Sequence, residues 1–290
     1  MLVEITSTIH VSNGCSLKRK CAYCGFAAGS SPLGYYRGFV KTEEQIIEAA
    51  LSIESAGIKR VSISAGYGNF RKVLTAVKTV KRITGLEVLV NVGGDLSRED
   101  IELLKSAGVE TVCCNLETVN RELFRKLKPD DSFEKRLKVC ELVKEVGLKL
   151  SSGLLLGIGE DEKDREEHIE LLKSLEVDEV PVMGFRPYPK TPMENVPPAP
   201  LSLQLQVIER VRESVDSCKR ITVPYPTVGR EGVVPAVKTG ANNVATVVPK
   251  SYPLTVKGVG SPEVGVLEEL LSLLDSFGIE TNVEREKVSL

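Results

Sequence analysis

The chain has 290 residues, 42% of them apolar and 27% charged, with a formal net charge of −2. These are the proportions of an ordinary folded protein, and the near balance of charge gives no reason to expect nucleic acid or an anionic membrane as partner. No apolar run approaches the roughly 18 residues of a membrane span, Met1-Leu2-Val3-Glu4 lacks a charged-then-apolar leader, and seven cysteines with three clustered suit a reducing cytoplasm.

Short apolar strands alternate with amphipathic helices. Residues 3–10 are rich in β-branched side chains and read as a strand. Thr42, with Gln45 at the third helical position, predicts a capping box opening a helix that stops at Gly57. A strand follows at 60–64. The same phrase recurs: Gly85 precedes a strand at 87–91, Gly108 one at 111–115 and Gly147 one at 149–155, each glycine read as a helix C-cap. Glu162 to Leu175 reads as a helix and 179–183 as a strand. Residues 186–200 hold six prolines and read as a long loop or lid. Leu203 to Ser217 and Val264 to Phe277 have helical period, with strands at 220–223 and 243–248. Eight alternating units predict an α/β fold, a (β/α)8 TIM-type barrel over 1–277 with a peripheral tail at 278–290. The alternative is a six-unit open barrel with an appended C-terminal piece.

The densest chemistry lies just after the first strand. Cys15, Cys21 and Cys24 fall within ten residues, in the pattern Cys-x5-Cys-x2-Cys. In a chain without secretory features such a loop points to a metal site. A structural zinc wants four closed ligands, and the loop supplies three thiolates. An iron–sulfur cluster held by three thiolates would leave one iron open for a substrate. Ordinary reduced thiols are the remaining reading.

In a (β/α)8 barrel the chemistry sits at the C-terminal strand ends, and the conspicuous residues fall there. The cysteines follow the first strand, Ala65-Gly66-Tyr67 the second, Asn115 and Glu117 the fourth, the glycine-rich stretch 153–159 with Leu155 spans the fifth, and Arg186 follows the sixth. Each has a plain structural reading: a tight turn at Ala65-Gly66, close backbone packing at 153–159, surface polarity at Asn115 and Glu117, a solvated helix face at Arg136. Their convergence on one rim favours function.

The cysteine loop resembles that of the radical S-adenosylmethionine (SAM) superfamily, whose commonest spacing is Cys-x3-Cys-x2-Cys with an aromatic residue before the last cysteine, here Tyr23. The body of the chain is most similar to the branch that holds biotin synthase and the hydrogenase maturase HydE. The resemblance implies a [4Fe–4S] cluster on Cys15, Cys21 and Cys24. It implies SAM against Tyr23 and Leu155 (adenine), Asn115 and Glu117 (ribose), Arg136 (carboxylate) and the Ala65-Gly66 turn (amino group). It further implies one-electron cleavage of SAM to a 5′-deoxyadenosyl radical that takes hydrogen from a small-molecule substrate, with a reductant such as a ferredoxin or flavodoxin. Asn91, Arg186, Tyr225, Thr227, Arg230 and Asn243 are the candidate substrate contacts.

Departures from the family narrow the expectation. Tyr67 stands where many members have Glu. The positions matching the second-cluster cysteines of biotin synthase are Ser62 or Ser64, Val88 and Ser151, so sulfur insertion is not expected; only Arg230 survives of that set. The wide first gap resembles the small HcgA/HmdB-type group, implicated in building the guanylylpyridinol cofactor of [Fe]-hydrogenase. Of Cys113 and Cys114 at most one can face the lumen; both, like Cys140 and Cys218 on helices, read as buried packing thiols. His10 reads as a satisfied core histidine and His168 as helix surface. Rival readings are a zinc-dependent barrel hydrolase or lyase and an iron–sulfur carrier for a maturation partner.

Overall fold

The computed structural model describes residues 2–25, 38–253 and 264–284. In chain order the elements are β1 (Glu4–Ser12), α1 (Glu43–Ser55), β2 (Arg60–Ala65), α2 (Phe70–Ile83), β3 (Glu87–Asn91), α3 (Arg98–Ser106), β4 (Thr111–Cys113), α4 (Arg121–Leu127), α5 (Phe133–Val146), β5 (Lys149–Ser151) and β6 (Leu154–Leu156). There follow α6 (Glu162–Ser174), β7 (Glu179–Gly184), α7 (Leu201–Ser214), β8 (Arg220–Pro224), α8 (Tyr225–Thr239), β9 (Asn243–Ala245), β10 (Val247–Val248), β11 (Gly265–Val266) and α9 (Leu267–Ser276).

All pairings in the main sheet are parallel, in the order β5-β4-β3-β2-β1-β9-β8-β7-β6, and Ser151 of β5 also pairs with Glu179 of β7. β5 and β6 are two halves of one strand interrupted at Ser152-Gly153. Counted so, eight strands close a barrel, as the sequence predicts. The six-unit open alternative falls because β9 pairs with both β1 and β8. Glycine is required at the interruption, because a Cβ on Gly153 would come within 2.0 Å of the Pro181 carbonyl oxygen. The expected strand 243–248 breaks at Thr246, whose φ of 64° turns β10 away to pair with β11.

Local signals account for the helices. Thr42 and Gln45 form the expected capping box, and Ser97 with Asp100 and Asp161 with Asp164 form two more. Gly57, Gly108 and Gly147 have positive φ, as C-terminal glycines should. Gly85 does not: α2 ends at Thr84, and the Gly85 amide donates to the Glu54 carboxylate instead. Residues 186–200 carry no helix or strand. The tail is stitched to the barrel, because Val3 exchanges backbone bonds with Glu280 and Asn282, and Glu284 donates to Gly57. Residues 285–290 lie outside the described residues.

The helix-side core is the aliphatic layer expected of a barrel, with Ile5, Ile9, Ile63, Val90, Leu150, Val182 and Val223 among its fully buried members. The lumen is polar at its lower end. Arg60, 1% exposed, donates to Glu179 at 2.6 Å, Glu87 at 3.1 Å and Thr6 at 3.3 Å. Arg220 bridges Glu4 and Glu87 at 2.7 and 3.2 Å. These residues open their strands, so the network seals the N-terminal end of the barrel. Burying so many charges is tolerable only because each is paired.

Candidate active site

At the opposite end the strands open onto a cavity of about 230 Å³. Its walls carry all three loop cysteines, each half-buried, with Tyr23, Ala65, Gly66, Tyr67, Asn91, Asn115, Glu117, Lys128 and Arg136; His10, Ser12 and Ser64 belong to the same lining. Ten of the sixteen sequence-derived site residues therefore meet in one place: Cys15, Cys21, Cys24, Tyr23, Ala65, Gly66, Asn91, Asn115, Glu117 and Arg136.

The cysteine loop is held against β2. Asn69 Nδ2 donates to the carbonyls of Gly14, Gly66 and Tyr67 at 2.8, 3.0 and 3.1 Å, and the Ser16 amide donates to the Tyr67 carbonyl. Gly66 is required by this approach: a Cβ there would lie 2.6 Å from the Gly14 oxygen and 2.9 Å from Cys15 Cβ. Burial, offset in part by Lys128, pushes the Cys21 thiol up to about 11, so binding a metal there must displace a proton.

Four charged groups from the β4–α5 region face one another beside the thiols. Lys128 Nζ lies 3.0 Å from Glu117 Oε1, which also accepts the Tyr23 hydroxyl at 2.9 Å. Burial raises the Glu117 carboxyl, but Lys128 and Arg136 outweigh it and hold the group below its ordinary value. Glu117 takes a φ of 64°, a strained turn for a non-glycine residue. Arg136, 6% exposed, is no solvated helix residue. It donates from Nε to Asp131 at 2.7 Å, from Nη1 to the Asn115 carbonyl at 2.9 Å and from Nη2 to the Tyr67 hydroxyl at 3.2 Å. Those bonds use three of its five N–H groups. The Tyr67 hydroxyl in turn donates to Asp131. Below this layer His10 Nδ1 meets Ser64 Oγ at 2.6 Å, and Ser64 sits in register with both His10 and Asn91. Burial, with Lys41 nearby, drops the His10 pKa to about 3, so this shelf is electrically neutral.

The remaining candidates lie elsewhere. Leu155 packs behind Tyr23 in a small apolar cluster with Leu127, Ile158, Phe185 and Met193. Asn243 is no upper-lumen contact; it is fully buried at the start of β9, exchanging hydrogen bonds with Thr6 and Thr222 in the sealed end. Arg230 is exposed on α8. Thr227 is occupied with Gln204 and the Pro224 carbonyl, Tyr225 packs against Gly265, and Arg186 reaches towards Gly229. Tyr225, Thr227 and Arg230 lie on α8, which begins directly after β8.

Other expectations also change. His168 is 1% exposed, its Nε2 without a hydrogen-bond partner, because it shares the inner face of α6 with Ile169 and Leu172. Cys113 and Cys114 are both buried, as the sequence predicts, the first bonded to Asn115 and the second to the Arg136 carbonyl. Cys218 lies in the turn before β8 rather than on a helix. Sequence reading missed Lys128, Asp131 and Asn69. The stretch Leu-Lys-Pro-Asp-Asp at 127–131 looks like any loop; only the doubling of Asp before a capped helix hinted that one carboxylate had work other than capping.

The donor set fits an iron–sulfur cluster: three free thiols and the charged wall line one cavity. Among the described residues no three His, Cys, Asp or Glu side chains stand as a ready site for a single metal ion.

Comparison with known proteins agrees with this geometry. The radical SAM superfamily profile matches residues 9–172. An uncharacterized protein, MJ0785, of Methanocaldococcus jannaschii is 49% identical over 97% of this chain and 76% of its own length. The [FeFe] hydrogenase maturase subunit HydE of Thermotoga maritima is 31% identical over 83% of this chain and 68% of its own. Among solved structures, methylornithine synthase (PylB) superposes with a TM-score of 0.82 over 97% of this chain and 83% of that one, at 22% identity, a likeness of fold. On the barrel, the three-cysteine loop and the extent of these matches, the chain belongs to the radical SAM superfamily and is a radical-SAM-type enzyme related to the cofactor-biosynthesis maturases.

Proposed function

We propose that this enzyme binds SAM and a [4Fe–4S] cluster in the cavity at the C-terminal strand ends, abstracts hydrogen from a small molecule held deeper in the lumen, and so serves the building of the guanylylpyridinol cofactor of [Fe]-hydrogenase. The observation that carries the first part is the meeting of Cys15, Cys21 and Cys24 with Glu117 and Arg136 around one cavity. When bound, the cluster supplies the single electron that breaks a carbon–sulfur bond of SAM.

The chain's own residues do the rest. Cys15, Cys21 and Cys24 would hold the cluster. Arg136 keeps two N–H groups for the SAM carboxylate, a planar fork suited to that shape. Both bonds to Glu117 fall on Oε1, which leaves Oε2, with Asn115, for the ribose hydroxyls. Tyr23, backed by Leu155, offers an apolar wall to adenine, and the Ala65-Gly66 turn offers backbone to the amino group. His10, Ser64 and Asn91 present neutral donors and acceptors to the substrate, and the ion-paired lower end keeps water from entering behind it. A ferredoxin or flavodoxin class donor would deliver the electron.

The pathway assignment rests on the five-residue first gap in a HydE-like body whose positions matching the second-cluster cysteines of biotin synthase carry Ser62 or Ser64, Val88 and Ser151. Anaerobic reconstitution with iron and sulfide, reduction, and quantification of 5′-deoxyadenosine test the chemistry. Wild type should form it and Cys21→Ala should not; a colourless protein with stoichiometric zinc would end this reading. Loss of the pyridinol cofactor in a deletion strain, restored by wild type and not by Cys21→Ala, tests the pathway.

A further inference from the structure

The turn between α4 and α5, Leu127 to Asp131, has two working faces. On its outer face the Leu127 carbonyl accepts the Ala22 amide at 2.8 Å and the Pro129 carbonyl accepts Arg19 Nη2 at 2.9 Å. Asp130 accepts both the Arg19 amide and Arg19 Nε at 2.7 Å. On its inner face Lys128 holds Glu117 and Asp131 holds Arg136 and Tyr67. Every one of the five residues thus touches either the cysteine loop or the charged wall.

The wide gap supplies the other half of this contact. Its five residues, Ser16 to Lys20, fold back on themselves, because Lys20 Nζ donates to the Cys15 and Leu17 carbonyls at 2.6 and 2.5 Å. That leaves Arg19 pointing at the turn, where it makes three bonds. A gap of three residues would lack two of these five positions, and with them room for both the fold-back and the tether.

We infer that the 127–131 turn is a clasp, with Arg19 and Asp130 as positioning residues that lock the cysteine loop to the groups facing SAM. The wide gap exists to make this link. The inference rests on the proposed SAM site for its ligand and on this chain's contacts alone for the coupling. Neither Arg19 nor Asp130 lines the cavity, so a change there reaches Glu117 and Arg136 through the turn or through Tyr23 of the same loop, whose hydroxyl donates to Glu117.

The test uses Arg19→Met, Asp130→Asn and the conservative Arg19→Lys in the full chain. In the metal-free protein, amide hydrogen exchange is read at Ala22 in the loop and at Glu117 on the inner side. In the protein reconstituted with iron and sulfide, SAM affinity is measured by equilibrium dialysis at equal iron content. The tether is an ion pair with a largely exposed arginine, so the expected effects are about two- to fivefold. Exchange should quicken at both amides and the SAM dissociation constant should rise, with Arg19→Lys between wild type and Arg19→Met. Quicker exchange at Ala22 with Glu117 unchanged would show a local anchor and overturn the coupling; so would unchanged SAM affinity. If wild type binds no SAM at all, the proposed site fails, and the exchange arm still decides the clasp.

Discussion

The two ends of this barrel are both built from buried charges, and they differ in what those charges have left to give. At the sealed end Arg60 is spread over Glu179, Glu87, Thr6 and Thr111, and Glu179 accepts a further bond from Thr222. No group there faces the cavity. At the open end Lys128, Glu117, Asp131 and Arg136 are paired, yet Lys128, Glu117 and Arg136 also line the cavity, and the bonds of Arg136 use three of its five N–H groups. A buried charge network is therefore not a sign of function in itself. The open end can bind because its charged groups border the cavity; the sealed end, where Arg60 makes four bonds to its neighbours, holds the barrel shut.

This contrast can be broken by substitution. The largest expected effect is at Arg60. Arg60→Leu leaves Glu179 and Glu87 short of a partner inside the protein and should cost about 3–5 kcal/mol of stability, read by urea denaturation, while SAM affinity per folded molecule stays unchanged. Lys128→Met breaks the corresponding pair at the open end, where cavity water can reach the freed Glu117. It should cost less, about 1–3 kcal/mol, but should weaken SAM binding, read by equilibrium dialysis on reconstituted protein. If Arg60→Leu weakened SAM binding while Lys128→Met did not, the division between the ends would be wrong.

A smaller, pH-dependent effect sharpens the picture from behind the site. Burial, outweighing the nearby Glu117, lowers the His168 pKa to about 3. The unfolded chain takes up a proton near pH 6.5 that the folded chain refuses, so stability is highest above pH 6.5 and falls as pH drops from there towards 3. The slope from this residue is about 1.4 kcal/mol per pH unit. His168→Leu should remove one proton from the pH dependence of the unfolding free energy, measured by denaturation between pH 4 and 7; an unchanged slope would contradict the burial of a neutral imidazole. The smallest effect is the control. Arg210 pairs with Glu166 and Glu213 at the surface, and Arg210→Ala should leave the urea midpoint close to that of wild type.

How much of the site could be read from the sequence varies with the distance over which its parts are joined. The cysteines and Tyr23 share one loop, and Ala65-Gly66 with Asn115 and Glu117 sit at strand exits, so spacing and alternation were enough to bring them together. Arg136 was recognisable as a motif residue, but its partner Asp131 was not, because an aspartate just before a helix has a ready local explanation as a cap. Lys128 gave no signal at all; its meaning depends on Glu117, which lies before α4 while Lys128 lies after it. The helix carrying Tyr225, Thr227 and Arg230 had no expectation in the sequence, although Pro226 suits its first turn, where a missing N–H costs nothing.

By itself the sequence determined the alternation of strands and helices, the capping of α1, the eight-unit barrel and the loop of three thiols. All of these depend on residues close together in the chain, where period, cap chemistry and ligand spacing act directly. Only the tertiary structure decided that Asn243 belongs to the sealed end, that His168 is buried, and that the 127–131 turn grips the cysteine loop on one side and the charged wall on the other. Those outcomes depend on which strands become neighbours when the barrel closes, and pairing across 100 residues or more, as between Arg19 and Asp130 or Arg60 and Glu179, leaves no local trace in the sequence.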